Sequence, residues 1–339
     1  MGQNKREVLQ AVFHNEKTDR VPVGFWHHFL ADEVGEDAFQ NPKLTQRALE
    51  GQREFYEEFS PDMIKIMTDG FFGYPHPLLK KEISNPRELL EITTLGKQSN
   101  WFEAQIKYAK QLVETYGRDI PLFYNLFAVP RTIAFVQASL GHTIPIAEWL
   151  KQEPNKLAHV FDVISDDYAE LAAALIQEAG VDGIYLSVNN ISYDSVSEET
   201  YNHYVSPYEI KILEAANQAG GEQILHICGY HGFRNHLEWY KEYPFQAVNW
   251  AVKVEGVSLK EGKELFHDKA VIGGFGQTEK DLIYTGSQKE IEEETIHLLA
   301  EVGTTGVVLG ADCTIPRDTP VRHLEWIREA ANSYVKSQK

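Results

Sequence analysis

The chain has 339 residues, of which 43% are hydrophobic and 24% charged, and its formal net charge is −18. That length and composition allow a full globular core. The acidic balance argues against nucleic acid or an anionic membrane as the main partner, because both call for basic patches.

In chain order, the opening "MGQNKREVLQAVFHNEK" reads as a polar helix with no export-type hydrophobic region. No later apolar run reaches the roughly 18 residues of a membrane span. Two cysteines are too few for a disulfide scaffold. Together these point to the cytoplasm.

Eight short β-rich runs follow: "RVPVGFW" (20–26), "DMIKIMT" (62–68), "IPLFYNLF" (120–127), "GIYLSVN" (183–189), "QILHICG" (223–229), "AVNWAV" (247–252), "AVIGGFG" (270–276) and "GVVLGAD" (306–312). Helical patterns separate them. "NKLAHVFDVISDDYAELAAALIQEAG" and "QKEIEEETIHLLAEVG" both stop at Gly, and "TPVRHLEWIREAANSYV" starts with Thr-Pro. Eight strands alternating with helices predict a (β/α)8 TIM barrel, with an open doubly wound sheet as the alternative. The connections 27–61 and 69–119 are long enough to hold more than one helix each and to cover part of the barrel mouth. No linker or repeat interrupts the chain, so 1–339 reads as a single domain.

In such a barrel, chemistry belongs at the C-terminal ends of the strands. His226 and Cys228 are two apart on the fifth strand and share its inner face. Cys313 follows the eighth strand, at the same rim. One imidazole and two thiolates suit Zn²⁺, and three protein ligands leave a fourth position for a reactant. The ordinary alternative is two small buried thiols beside a core histidine.

These residues also carry a resemblance. "HICG" followed by "GADCTIP" resembles the His-x-Cys…Cys zinc motif of the cobalamin-dependent methyltransferases in the uroporphyrinogen decarboxylase superfamily. "NKREVLQAVFHNEKTDRVPVGFW" and "VSPYEIKILEAANQAGGEQILHICG" are similar to segments of that superfamily, and the similarity runs from about residue 4 to about 333. The resemblance implies a (β/α)8 barrel in which Zn²⁺, held by His226, Cys228 and Cys313, ionises the thiol of an acceptor. That thiolate takes a methyl group from methylcobalamin or another methylated corrinoid, usually carried by a corrinoid protein. A homodimer is a possible assembly. The resemblance also raises a tetrapyrrole decarboxylase, whose first rim loop carries carboxylate-gripping arginines. Here "GFWHHFLADE" stands in that place, and no arginine occurs between Arg20 and Arg47. A non-catalytic, zinc-stabilised corrinoid-binding barrel is a third reading.

Further rim residues complete the expected site. Asp69 falls near the essential aspartate of the decarboxylases, and His231 could hydrogen-bond a ligand; both are candidate catalytic groups. His27, His28, Asn125, Asn189 and Asn190 are candidate substrate-binding groups. Each has an ordinary alternative as a loop cap, turn former or packed aromatic. Arg131, Arg317 and Lys253 are candidate cations for a substrate carboxylate or for corrinoid side chains. The glycines of "GGFGQT" lack dinucleotide-fingerprint spacing and fit a tight bend or a close backbone approach.

Overall fold

The computed structural model describes residues 2–190, 196–229, 232 and 234–338. Eight parallel strands form one sheet in the order β1-β8-β7-β6-β5-β4-β3-β2. They are β1 (Val23–Gly24), β2 (Ile64–Ile66), β3 (Leu122–Phe127), β4 (Gly183–Val188), β5 (Ile224–Ile227), β6 (Ala247–Trp250), β7 (Ala270–Phe275) and β8 (Val307–Ala311). All eight lie inside the runs expected from the sequence, and the architecture is a nearly closed (β/α)8 barrel.

The seam between β1 and β2 closes by a side chain as well as by backbone. Asp62 N donates to Val23 O at 2.9 Å, and Val23 N donates to Asp62 Oδ2 at 2.9 Å. Arg20 Nη2 anchors the other carboxylate oxygen at 3.2 Å. On the far side of β1, Gly310 of β8 needs its missing Cβ: an added methyl would sit 2.6 Å from Gly24 O.

Helices α1 (Lys5–Phe13), α2 (Pro42–Phe59), α3 (Asn100–Tyr116), α4 (Val129–Ser139), α5 (Ile146–Gln152) and α6 (Pro154–Ala174) belong to the first half. The second half holds α7 (Glu198–Tyr204), α8 (Ser206–Gln218), α9 (Val252–Glu255), α10 (Leu259–Leu265), α11 (Leu282–Thr285), α12 (Gln288–Val302) and α13 (Val321–Ser337). More than one helix is expected in each long early connection; 69–119 holds α3 and two short 3-10 turns, whereas 27–61 holds α2 alone. Helix α1 is set by a capping box in which Asn4 and Glu7 exchange hydrogen bonds. Its Phe13 ring packs 5.8 Å from Phe123 of β3, and Arg6 reaches Gly117 O at 2.7 Å. It therefore covers the N-terminal end of the barrel, opposite the rim where the candidate residues gather. The helix expected after residue 154 does end at Gly180, but its last turn widens into a π-turn over 175–179.

Candidate active site

Strand register brings the key side chains together. Ser187, His226, Asn249 and Ile272 are lateral neighbours on β4, β5, β6 and β7. Asn249 Oδ1 accepts from His226 Nδ1 at 2.6 Å and from Tyr185 Oη at 3.0 Å. Its amide nitrogen donates to Ile272 O at 2.8 Å and Ala311 O at 3.2 Å. Those two donations fix which end of the amide is oxygen. The imidazole proton must then sit on Nδ1, which leaves the Nε2 lone pair free. Gly273 makes room for this arrangement: its φ is +138°, and a Cβ there would lie 3.3 Å from Asn249 Nδ2.

His226 Nε2 faces Cys313 Sγ at 3.4 Å. The ligand atoms of His226, Cys228 and Cys313 all lie within 4.8 Å of one another. In a tetrahedral zinc site the ligand atoms stand roughly 3.3–3.8 Å apart, so shifts of about an ångström would seat the ion. The soft donor set and the protonated, hydrogen-bonded Nδ1 both suit zinc. The two thiols are close neighbours, their sulfurs within 4.8 Å of each other. That contact, together with His226 and Lys65, holds Cys313 well below the ordinary thiol value. The same contact, with burial, pushes Cys228 up.

The backbone of Cys228 is fixed from two sides. Its N–H donates to Val188 O at 2.9 Å, and its carbonyl accepts from Asn189 Nδ2 at 2.7 Å and Asn235 Nδ2 at 3.0 Å. Buried Glu255 holds Asn235 in turn, at 2.7 and 2.9 Å. Cys313 sits on a loop stitched to the first rim segment. Ile315 N donates to Trp26 O at 3.0 Å, and the Arg317 guanidinium donates to His28 O at 3.0 Å and Leu30 O at 2.6 Å.

A cavity of about 120 Å³ opens over the three ligand atoms. Its walls include His28, Lys65, Met67, Phe72, Asn125 and Phe127. Val34, Phe72 and Phe135 are shared with a neighbouring groove of about 290 Å³.

The other expected residues divide. Asn125 lines the cavity, accepting from Ser187 Oγ at 3.2 Å and donating to Thr68 Oγ1 at 3.3 Å. Asn189 also lines it while holding Cys228. His28 lines it with Nδ1 2.8 Å from Asp69 Oδ1. Burial disfavours a charged His28, but the hydrogen bond and charge of Asp69, aided by Glu33, outweigh it and raise the His28 pKa. Asp69 is fully buried, and its other oxygen accepts from Phe29 N at 2.5 Å and Leu30 N at 3.1 Å. It is built into the first rim loop as an anchor.

His27 turns away from the cavity. Its ring packs 4.3 Å from Phe29 and 4.6 Å from Phe55, and burial lowers its pKa. Asn190 likewise points elsewhere: it donates from N to Asn235 Oδ1 at 2.8 Å and exchanges hydrogen bonds with the His236 backbone. His231 lies outside the described residues. Of the expected cations, Arg131 lines the cavity, Arg317 ties loops together, and Lys253 pairs with Asp281 at 2.5 Å.

Sequence reasoning passed over Asn249, Tyr185 and Lys65. Lys65 left a trace: a lysine at the centre of "DMIKIMT" breaks an apolar strand. Asn249 left none, because its importance depends on which residue stands beside it on β5.

Residues 4–334 match the model of the family described as "Uroporphyrinogen decarboxylase (URO-D)". The chain is similar to a methylcobamide:CoM methyltransferase MtbA of Methanosarcina mazei, 23% identical over 261 residues, spanning 76% of this chain and 71% of that one. A protein of the same description from Methanosarcina acetivorans is 25% identical over 260 residues, with the same coverage of 76% and 71%. Among solved structures, a methyltransferase from Methanosarcina mazei shares the fold with a TM-score of 0.73 at 19% identity, covering 98% of this chain and 99% of that one.

Proposed function

The chain belongs to the uroporphyrinogen decarboxylase family, and from that premise we propose that it is a methyltransferase moving a methyl group from a methylated corrinoid to a thiol. The observation that carries the reading is the convergence of His226 Nε2 with both cysteine sulfurs of the chain beneath a small cavity. The relatives named as methylcobamide:CoM methyltransferases support the same class.

His226, Cys228 and Cys313 would hold Zn²⁺, which supplies a Lewis-acidic centre able to keep an acceptor thiol ionised at neutral pH. The chain's own residues prepare that position. Asn249 keeps the His226 proton on Nδ1 and the ring in place. Asn189 and Asn235 hold the Cys228 carbonyl, so its sulfur is presented on a fixed backbone. Asp69 sets the His28 ring at the cavity wall. Met67, Phe72 and Phe127 give the acceptor a largely apolar wall that limits water around its sulfur. A methyl donor would approach from the open side, where the groove sharing Val34, Phe72 and Phe135 adjoins the cavity. The outcome is one new carbon–sulfur bond for one carbon–cobalt bond broken. A corrinoid protein as donor, a homodimeric assembly, a cytoplasmic location and a single domain over 1–339 belong to the same reading.

The test is incubation of the zinc-loaded protein with thiols and either methylcobalamin or a methylated corrinoid protein, with thioether detected by mass spectrometry. Thioether from at least one thiol is expected. No thioether with either donor, or conversion of uroporphyrinogen to coproporphyrinogen, would overturn the assignment.

A further inference from the structure

The three candidate ligands sit on or just after β5 and β8, yet one short segment, residues 249–255, reaches the support of each. It comprises the end of β6, Ala251 and the single turn α9. At its start, Asn249 Oδ1 accepts from His226 Nδ1 at 2.6 Å. In its middle, Lys253 N donates at 3.2 Å to Oδ2 of Asp312, the buried residue before Cys313. At its end, the Glu255 carboxylate accepts from Asn235 N at 2.7 Å and from Asn235 Nδ2 at 2.9 Å. Asn235 Nδ2 in turn donates to the Cys228 carbonyl at 3.0 Å.

Packing repeats the same connection. A Cβ on Gly229, the residue after Cys228, would lie 2.8 Å from Ala251 Cβ and 3.3 Å from Val254 Cγ1. The backbone of Gly229 is outside the left-handed region, so it is the close approach to α9 that calls for glycine. The segment is itself held from behind. Trp250 Nε1 donates to Val257 O at 2.9 Å, and the Trp250 ring leaves no room for a Cβ on Gly262. Arg234 donates to Glu255 O at 2.5 Å. The Glu255 residue is 1% exposed, and a buried carboxylate needs hydrogen bonds in place of water. Glu255 takes both from Asn235, and the same amide nitrogen serves Cys228.

We propose that Glu255 is a positioning residue for Cys228, acting through Asn235, and that the 249–255 segment is the shared support that sets the spacing of the two sulfurs. The proposal rests on the reading of His226, Cys228 and Cys313 as a metal site. Cys228 and Cys313 are far apart in the chain, and their loops lean on α9 at different points. Gly229 packs on Ala251 and Val254, while Asp312 takes the N–H of Lys253. A shift of α9 therefore changes the separation of the sulfurs, although no residue of 249–255 lines the cavity. Glu255 fixes one end of that relation: it sets the Asn235 amide, and the amide sets the Cys228 backbone.

The experiment compares the full-length wild type with Glu255→Ala, Glu255→Gln, Asn235→Ala, the Glu255→Ala/Asn235→Ala double variant and Gly229→Ala. Zinc affinity is read by competition with a chromophoric chelator, and stability by urea denaturation. The arrangement of the ligands is read from the visible spectrum of the Co²⁺-substituted protein, since Co²⁺ enters the same kind of nitrogen–sulfur site. Glu255→Ala should bind zinc about 10- to 100-fold more weakly, the range for loss of an outer partner, with an altered cobalt spectrum. Glu255→Gln keeps one acceptor oxygen and should retain more of the affinity. The double variant should bind zinc within about twofold of Asn235→Ala alone, because the two residues act in series. Gly229→Ala removes no hydrogen-bonding group, and should weaken zinc and alter the cobalt spectrum by pushing Cys228 away from α9. Zinc affinity and cobalt spectrum unchanged in Glu255→Ala and Gly229→Ala, whatever the loss of stability, would show a purely structural role and overturn the proposal. Additive losses in the double variant would overturn the route through Asn235. Should Glu255→Ala fail to fold, wild-type metal binding by both Glu255→Gln and Gly229→Ala would overturn the proposal in the same way. A wild type that binds neither zinc nor cobalt would overturn the metal-site reading and this proposal with it, whereas metal-binding variants that match wild type remove this proposal alone.

Discussion

Asn249→Ala tests the positioning of the candidate metal site most directly. The amide makes four hydrogen bonds, to His226 Nδ1, Tyr185 Oη, Ile272 O and Ala311 O, all in the buried interior. Truncation strands two donors, the imidazole N–H and the tyrosine hydroxyl. At about 1–3 kcal/mol for each stranded group, the expected loss of stability is roughly 2–6 kcal/mol. That is a large share of the about 5–15 kcal/mol typical of a folded domain. The second effect is on metal. With Nδ1–H unanchored, the ring can rotate or take the other tautomer, and loss of such an outer partner typically weakens metal binding about 10- to 100-fold. Asn249→Asp keeps an acceptor for His226 but turns a carboxylate toward the carbonyls of Ile272 and Ala311. It should therefore retain most of the zinc affinity while still losing stability. Urea denaturation measures the first quantity, and competition with a chromophoric chelator the second. Zinc affinity of Asn249→Ala within about twofold of wild type would refute the argument that this amide orients the ligand.

Two further outcomes follow from the same geometry. Purified protein should carry close to one equivalent of zinc by elemental analysis, and Cys228→Ser and Cys313→Ser should each lose most of it; unchanged content in both would refute the three-ligand site. Asp69→Asn should bring the raised pKa of His28 back down, read by NMR titration of the ring. Because that pKa is raised in the folded state, its contribution to stability is fully present below the unfolded value of about 6.5 and fades as pH climbs through the folded pKa. The stability gap between wild type and Asp69→Asn should accordingly be widest below about pH 6.5 and shrink as pH rises above it, and a gap independent of pH would contradict the pairing.

The sequence by itself determined the element plan and the candidate triad of His226, Cys228 and Cys313. β-rich runs separated by amphipathic helices are local patterns. The period of two along β5 is local as well, so placing His226 and Cys228 on one face needed no tertiary information. Cys313 could be added because an all-parallel barrel sends every strand end to one rim. Three things were decided only by the fold. His27 and His28 are consecutive on an irregular segment with no periodicity to say which turns inward, and the carboxylate of Asp69, 41 residues downstream of His28, settles it. Asn249 matters because lateral register sets it beside His226, and register between strands joined by long connections has no signature in either strand alone. Lys65 was visible as a charge within an apolar strand, but the Trp26 and Tyr185 rings that grip it come from elsewhere in the chain. The candidate ligands were thus written in side-chain type and spacing. The orientation of those ligands, and the charge that faces them, depends on contacts between residues far apart in the chain, which form only when the barrel closes.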